Sequence, residues 1–134
     1  MSERGTRKLE TSPSDLDFQD FRARHIASIV VLSGGVVGSE RILDDPKIRL
    51  GRGPEVEFEF DDSAMSREHA VFEFADGAFV LRDIGSTNGI RVNGERLMAH
   101  ELDHGDRLEI GEHVFQFLIE NREQTPTTYV IEDE

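Results

Sequence analysis

Short apolar and alternating segments repeat along the middle of the chain. Ile29–Leu32 is apolar throughout, whereas Val56–Phe60 alternates apolar and acidic positions. Strict alternation over a few residues is typical of a β-strand with one buried face. Further segments carry apolar residues on one face, at Ala70, Phe72 and Phe74, at Phe79 and Leu81, at Leu108 and Ile110, and at Phe115, Phe117 and Ile119. The pattern predicts many short strands.

Turn signals separate these segments. Eleven of the 12 glycines lie between Gly34 and Gly111. Asp-Gly and Asn-Gly pairs, which favour tight turns between antiparallel strands, fall at 76–77, 88–89 and 93–94, and Gly105-Asp106 marks another turn. This region contains no convincing helical period. Many short strands with frequent turns predict an all-β fold, a sandwich or a barrel.

The two ends of the chain differ from this region. Ser14 offers a helix N-cap with an acid three residues on, and Leu16, Phe18 and Phe21 would then lie on one face of a short helix. An arm without regular structure is the alternative. The other end is polar, acidic and rich in threonine, which is typical of a flexible tail. We therefore predict an N-terminal arm (1–26), a domain (27–119) and a tail (120–134).

Composition narrows the class of protein. The 134 residues suffice for one domain with tails, and 37% of them are hydrophobic. The absence of cysteine excludes disulfides, thiolate nucleophiles and cysteine zinc sites, and it favours a reducing compartment. No apolar run approaches the ~20 residues of a membrane helix, and the first ten residues contain no signal-peptide pattern. We expect a cytoplasmic protein without membrane insertion.

The net charge of −13 reflects 15 basic and 28 acidic residues. The acid excess lies in residues 27–119, with 18 acids and nine bases, and in residues 120–134, with five acids and one base. Nucleic acids and anionic membranes need a basic footprint, so we expect no general binding to either. Taken alone, the charge predicts a basic partner or simple solubility.

Four short motifs fall in the predicted loops: Gly51-Arg52, Ser66-Arg67-Glu68-His69, Ser86-Thr87-Asn88-Gly89 and Asn93-Gly94. Each motif alone is weak, because a lone Arg or Ser in a loop is usually solvated and Asn-Gly is usually a turn. Together, in this order and among β-strand patterns, they closely resemble the forkhead-associated (FHA) domain. The resemblance covers roughly residues 27–119.

This resemblance implies a β-sandwich of two antiparallel sheets whose loops at one end bind phosphothreonine peptides. By the family pattern, Arg52, Ser66 and Arg67 form the phosphate site, Thr87 contacts the phosphate or the peptide beside it, and Asn88 holds the peptide backbone. The chemistry is consistent, since phosphothreonine carries about −1.5 to −2 charge and three acceptor oxygens. Cationic and hydroxyl donors suit it, and the backbone N–H of Ser66 is a further candidate donor.

Other motif residues are predicted to have structural roles. Gly51 and Gly89 suit positions that need positive φ or a close approach of the backbone. Asn93-Gly94 is interpreted as a turn without a ligand. His69 follows Ser66 by three residues, but no acid is placed to orient it, so we expect its ring to brace the loop through backbone hydrogen bonds. No catalytic set emerges, and we expect neither an enzyme nor a cofactor.

His100-Glu101-Leu102-Asp103-His104 matches the H-E-x-x-H pattern of zinc proteases. That chemistry needs both histidines on one face of a helix, one turn apart. The segment instead runs into a Gly-Asp turn signal and a strand pattern, and little helical pattern precedes it. We therefore expect no metal site there.

The sequence is compatible with two functions. The first is a phosphothreonine-binding adaptor downstream of a Ser/Thr protein kinase, which the joint presence of the five site residues favours. The second is a phospho-independent interaction subunit that uses a sheet face. Glu10-Thr11-Ser12 vaguely resembles the phosphosite of small bacterial FHA regulators that bind their own phosphorylated arm, although the arms could equally stay unmodified. The candidate phosphosites are Thr11, Thr125, Thr127 and Thr128.

Overall fold

The computed structural model describes residues 13–122, with side chains from residue 17 onwards. In this part of the chain one helix precedes eleven strands. The elements are α1 (Pro13–Arg24), β1 (His25–Ser33), β2 (Glu40–Ile42), β3 (Lys47–Gly51), β4 (Phe58–Glu59), β5 (Ala70–Ala75), β6 (Ala78–Asp83), β7 (Ile90–Val92), β8 (Glu95–Leu97), β9 (Ala99–Glu101), β10 (Arg107–Ile110) and β11 (His113–Asn121).

The strands form two packed sheets. The five-stranded sheet has the order β9-β6-β5-β3-β4, and the six-stranded sheet has the order β2-β1-β11-β10-β7-β8. The fold is therefore the all-β sandwich that the FHA resemblance implied. One pairing departs from the antiparallel expectation, because β3 and β4 run parallel, with Leu50 opposite Phe58.

The core lies between the sheets and follows the alternation of the sequence. Phe115 and Phe117 of β11 face inward and are fully buried, opposite Val31 and Ile29 of β1. Phe72 of β5 is fully buried from the other sheet. Burying each of these large side chains contributes about 1.5–3 kcal/mol, which explains why the alternating positions form strands.

The segment that contains β4 shows the predicted burial but little of the predicted strand. Val56, Phe58 and Phe60 are buried while the intervening glutamates are exposed. Only Phe58 and Glu59 pair with β3. The reason is local: the backbone N–H of Arg49 donates to the Glu57 carboxylate at 2.7 Å, so a side chain takes the place of a ladder bond.

Helix α1 packs on the end of the core. Phe18 is 2% exposed, and its ring centroid lies 5.3 Å from that of Phe74 and 6.1 Å from that of Phe79. Strand β1 follows the helix directly at His25, so the predicted boundary at residue 27 falls inside this strand. The described part of the predicted arm is thus a helix joined to the core.

The register gathers several loops at one end of the sandwich. Ala70 at the start of β5 pairs with Leu50 near the end of β3 and with Asp83 at the end of β6. Ile90 at the start of β7 pairs with Ile110 at the end of β10. We call this the loop end. Helix α1 lies at the opposite end, beside the turn between β5 and β6.

Four predicted phosphosites and most of the tail lie outside the described residues. These are Thr11, Thr125, Thr127 and Thr128, and the segment 123–134. Within residues 13–122, no helix is long and apolar enough to cross a membrane.

Candidate functional site

Three loops at the loop end carry the predicted binding residues. The first loop (52–57) follows β3 and contains Arg52. The second loop (60–69) precedes β5 and contains Ser66 and Arg67. The third loop (84–89) joins β6 to β7 and contains Thr87 and Asn88. The fold therefore brings together five residues that span 37 positions of the sequence, from 52 to 88.

Ser66 is the junction of the three loops. Its carbonyl accepts a hydrogen bond from the Arg52 N–H at 3.0 Å, and its hydroxyl oxygen accepts one from the Thr87 N–H at 3.0 Å. Within residues 13–122 the hydroxyl donates to no partner, so its hydrogen is available to a ligand. The backbone N–H of Ser66 donates to Nδ1 of His69 at 3.0 Å, so it could contact a phosphate only by giving up this hydrogen bond.

The two arginines of the site differ in how they are engaged. Nε of Arg52 donates to the carbonyl of Met65 at 3.0 Å, and its two Nη groups have no partner among the described residues. Nη2 of Arg67 lies 3.2 and 3.3 Å from the two carboxylate oxygens of Glu55. Arg52 is thus oriented and open to a ligand, whereas Arg67 is paired with an acid that the motifs did not reveal.

The first loop is braced by Arg49 at its base. Nη2 of Arg49 donates to the carbonyl of Glu55 at 2.8 Å and lies 3.1 Å from the Glu57 carboxylate. The hydrogen bond from Arg49 lowers the pKa of Glu57 to about 2. The glutamate therefore stays charged across the physiological range and keeps the loop beside β3.

Asn88 ties the third loop to the second. Its Nδ2 donates to the carbonyl of Ala64 at 2.9 Å. This hydrogen bond fixes the orientation of the amide group and therefore of its side-chain oxygen. An amide oxygen held in this way can accept a hydrogen bond from a peptide N–H. Thr87 and Asn88 are both exposed, so a ligand at the loop end can reach them.

His69 is buried beneath the second and third loops with both ring nitrogens engaged. Nδ1 accepts from the Ser66 N–H, so Nε2 carries the hydrogen and donates to the carbonyl of Gly89 at 2.8 Å. The ring is therefore neutral in this arrangement and joins two loops that lie 20 residues apart. This position gives it a bracing contact and no access to a substrate.

The two motif glycines allow close backbone contacts. A Cβ on Gly51 would lie 2.2 Å from the carbonyl oxygen of Arg67, so only glycine lets the first and second loops meet. Gly89 has φ of +80°, and a Cβ there would lie 2.6 Å from Nε of Arg96.

Asp83 and Ser86 shape the third loop from within. One carboxylate oxygen of Asp83 accepts from the N–H groups of Gly85 and Ser86, at 2.9 and 2.8 Å, and the other accepts from the Ser86 hydroxyl at 2.9 Å. The Ser86 oxygen in turn accepts from the Gly89 N–H at 2.8 Å. Asp and Ser commonly hold turns in this way.

A buried pair supports the second loop from below. Asp62 is 6% exposed, and His113 donates from Nδ1 to its carboxylate at 2.7 Å. The carboxylate also accepts from the N–H groups of Ala64 and Glu112, at 2.9 and 2.8 Å. Burial alone would raise the pKa of Asp62, but these hydrogen bonds outweigh it and leave the pKa below its ordinary value. The motifs gave no signal for this pair, whose members lie 51 residues apart.

The remaining singled-out residues lie away from the three loops. Asn93 and Gly94 have φ of +52° and +87° and form the turn between β7 and β8, where Nδ2 of Asn93 donates to Asp106 at 3.0 Å. His100 lies in β9 and His104 in the following turn, so the H-E-x-x-H segment has no helix. Across residues 13–122, no group of three or more His, Asp or Glu side chains could hold a metal ion.

Comparison with known proteins agrees with this architecture. The FHA domain family matches residues 48–111. The oxoglutarate dehydrogenase inhibitor of Corynebacterium glutamicum is 39% identical over 92 residues, which is 69% of this chain and 64% of that protein. The inhibitor of the same name from Corynebacterium jeikeium is 35% identical over 97 residues, which is 72% of this chain and 67% of that protein. The matches thus span about two thirds of these relatives.

Solved structures of FHA domains also resemble this chain. Mycobacterium tuberculosis EmbR in complex with a low-affinity phosphopeptide superposes with a TM-score of 0.66 at 30% identity, covering 71% of this chain and 24% of that one. A chain from a study of phosphothreonine-dependent FHA domain interactions superposes with a TM-score of 0.64 at 25% identity, covering 69% and 95%. From its sequence, its sandwich and these relatives, the chain belongs to the forkhead-associated (FHA) domain family.

Proposed function

We propose that this protein binds phosphothreonine peptides and acts as an adaptor or regulator downstream of a Ser/Thr protein kinase. The observation that carries the proposal is the junction at Ser66. There the Ser66 hydroxyl accepts from the Thr87 N–H and the Ser66 carbonyl accepts from the N–H of Arg52, whose Nη groups have no partner among the described residues. Hydroxyl and guanidinium donors together suit the acceptor oxygens of a phosphate.

Preorganisation supports this role. Nε of Arg52 is already held by the carbonyl of Met65, so binding would immobilise little additional side chain. The peptide backbone would lie across the third loop, where the Asn88 amide oxygen can accept a hydrogen bond. Arg67 would join the phosphate only by exchanging the Glu55 carboxylate for phosphate oxygens.

Related proteins support a regulatory function. The relatives from Corynebacterium are named as inhibitors of oxoglutarate dehydrogenase, and the EmbR structure contains a phosphopeptide. We infer that this chain also regulates a partner by binding it and catalyses no reaction of its own. We further propose that the partner is a phosphothreonine-containing protein, that a Ser/Thr protein kinase acts upstream, and that the protein is cytoplasmic.

The arms could supply a ligand from the same chain. Phosphorylation of Thr11, Thr125, Thr127 or Thr128 would create a phosphothreonine that competes with a partner. Incubating the protein with the cognate kinase and mapping phosphates by mass spectrometry tests this idea. Unmodified arms would remove it and leave the binding proposal intact.

Capture from a kinase-treated lysate tests the function itself. Wild type should retain proteins that are lost after phosphatase treatment, and Arg52→Ala should not retain them. Arg82→Ala is the control, because Arg82 is an exposed arginine that pairs with Glu73 away from the loop end. Capture that ignores both phosphatase and Arg52→Ala would instead indicate phospho-independent binding through a sheet face.

A further inference from the structure

Two arginines lie beside the third loop on the outer face of the six-stranded sheet. Arg91 of β7 and Arg96 of β8 are directly opposite each other in the antiparallel register, and both are exposed. The buried residues Ile90 and Val92 flank Arg91 on its strand, so alternation turns Arg91 and its partner Arg96 outward.

Neither arginine of this pair forms an ion pair with a described residue, unlike four other arginines of the chain. Among residues 13–122, Arg24, Arg49, Arg67 and Arg82 each lie within 4.0 Å of a carboxylate. Arg91 and Arg96 form no such pair with any described residue, although Glu109 is the other cross-strand neighbour of Arg91.

Two like charges directly opposite each other destabilise a sheet. Although the chain has 28 acidic residues, none of the described carboxylates forms an ion pair with either arginine. The outer face therefore presents two exposed guanidinium groups, with Glu109 beside Arg91, that are open to a further acidic partner.

Arg96 reaches the loop that is proposed to hold the peptide. Its guanidinium lies so close to Gly89 that a Cβ on this glycine would be 2.6 Å from Nε and 2.9 Å from Nη2. Gly89 follows Thr87 by two residues, and the Thr87 N–H contacts the Ser66 hydroxyl. The guanidinium is therefore on the order of 10 Å from the proposed phosphate position, a span of about three extended residues.

We propose that Arg91 and Arg96 form a binding site for acidic side chains that flank the phosphothreonine in the bound peptide. The inference rests on the proposed function. A peptide anchored at Ser66 and Asn88 passes next to Gly89, where a carboxylate meets the forked guanidinium of Arg96 and then Arg91. The pair would thus select partners whose acids the rest of this acidic surface repels.

Titration of the 134-residue protein with three phosphothreonine peptides tests the site. One peptide has neutral flanks, one has acids two to four residues before the phosphothreonine, and one has them two to four residues after it. Wild type should bind one acidic peptide about fivefold more tightly than the neutral one, as expected for exposed ion pairs. The preference should shrink as salt is raised, because exposed charges are screened.

Variants separate ligand contact from loop support. Arg91→Gln with Arg96→Gln should remove the acid preference and leave affinity for the neutral peptide unchanged. Arg96→Lys should keep much of the preference, and Arg82→Gln, the control, should keep all of it. If Arg96 only supports the loop, Arg96→Gln would instead weaken all three phosphopeptides equally.

Two results would overturn the inference. One is wild type that binds the neutral phosphopeptide but shows no acid preference on either side. The other is a preference that survives in the double variant. Failure to bind any phosphopeptide would contradict the proposed function as well, so the neutral peptide distinguishes the two failures.

Discussion

At the scale of single residues, Glu55 decides how much positive charge the site offers. Its carboxylate pairs with Arg67 at 3.2 Å, and about half of each side chain is exposed. A phosphate must compete with this carboxylate for the guanidinium. Under the proposed function, Glu55 would therefore limit the affinity for a phosphopeptide.

Glu55→Gln should tighten phosphopeptide binding. Removing the competing charge frees Arg67 for the phosphate. Because exposed ion pairs contribute little energy, we expect the affinity to rise by about twofold to fivefold. Calorimetric titration measures the change. Glu73→Gln is the matched control, since Glu73 also pairs with an exposed arginine at 3.2 Å but away from the three loops. Equal effects of the two variants would show that only the net charge matters.

Asp62 is the residue on which the second loop rests. Its carboxylate accepts hydrogen bonds from His113 and from two backbone N–H groups. Asp62→Asn keeps the shape but replaces one acceptor oxygen with a donor and removes the charge. We expect a loss of about 2–3 kcal/mol in the free energy of unfolding, since hydrogen bonds to a buried charge are lost.

The pH dependence of stability identifies the same contact. The pKa of Asp62 in the folded chain is below its ordinary value of 3.8, so the unfolded chain takes up this proton first as the pH falls. The stabilisation is complete above 3.8 and is lost below it. Urea unfolding across this range should show wild type and Asp62→Asn converging at low pH. A constant difference between them would contradict this account.

At the scale of elements, α1 is part of the domain core. Phe18 fills the end of the core against Phe74 and Phe79, which flank the turn between β5 and β6. Phe18→Ala should lower the free energy of unfolding by about 3–5 kcal/mol. The exposed Gln19 of the same helix supplies the control, because Gln19→Ala should have little effect.

Chemical denaturation measures both helix variants, and Phe18→Leu provides a milder test if the alanine variant does not fold. Unchanged stability in both Phe18 variants would show that the helix is dispensable. Phosphopeptide affinity should stay unchanged in the folded variants, because α1 lies at the end of the sandwich opposite the three loops.

The elements also show how far the sequence predicts the fold. Alternation located the core-facing positions of β5 and β10 and those at Phe115 and Phe117 of β11, because each strand has one face on the core. It did not predict the burial of Val71 on the other face of β5, and Ile119 is only partly buried. The same alternation overestimated β4, where Arg49 uses the Glu57 side chain in place of a ladder bond. The packing of α1 could not be predicted, since it depends on Phe74 and Phe79 more than 50 residues later.

The candidate site was predictable where a family motif carries it and hidden where distant residues meet. The FHA resemblance singled out Arg52, Ser66, Thr87 and Asn88, and the fold brings these residues to one end of the sandwich, while their roles in binding stay a prediction. The contacts of Asp62 with His113 and of Arg96 with Gly89 form only when the strands pair in the folded protein, so no short sequence motif predicts them.

At the scale of the whole molecule, the net charge of −13 opposes an anionic ligand. Long-range attraction cannot recruit a phosphopeptide to such a surface. Under the proposed function, affinity would come from short, directed hydrogen bonds at the loop end, where the Nη groups of Arg52 have no described partner. The acidic surface would then disfavour anions that do not fit this geometry.

The most direct test is the affinity of wild type and Arg52→Ala for one phosphothreonine peptide and its unphosphorylated twin. Wild type should bind only the phosphorylated peptide, and Arg52→Ala should weaken that binding by about 2–5 kcal/mol, the effect of losing a charge-assisted partner. Equal binding of the two peptides by wild type, or unchanged affinity in Arg52→Ala, would contradict the account.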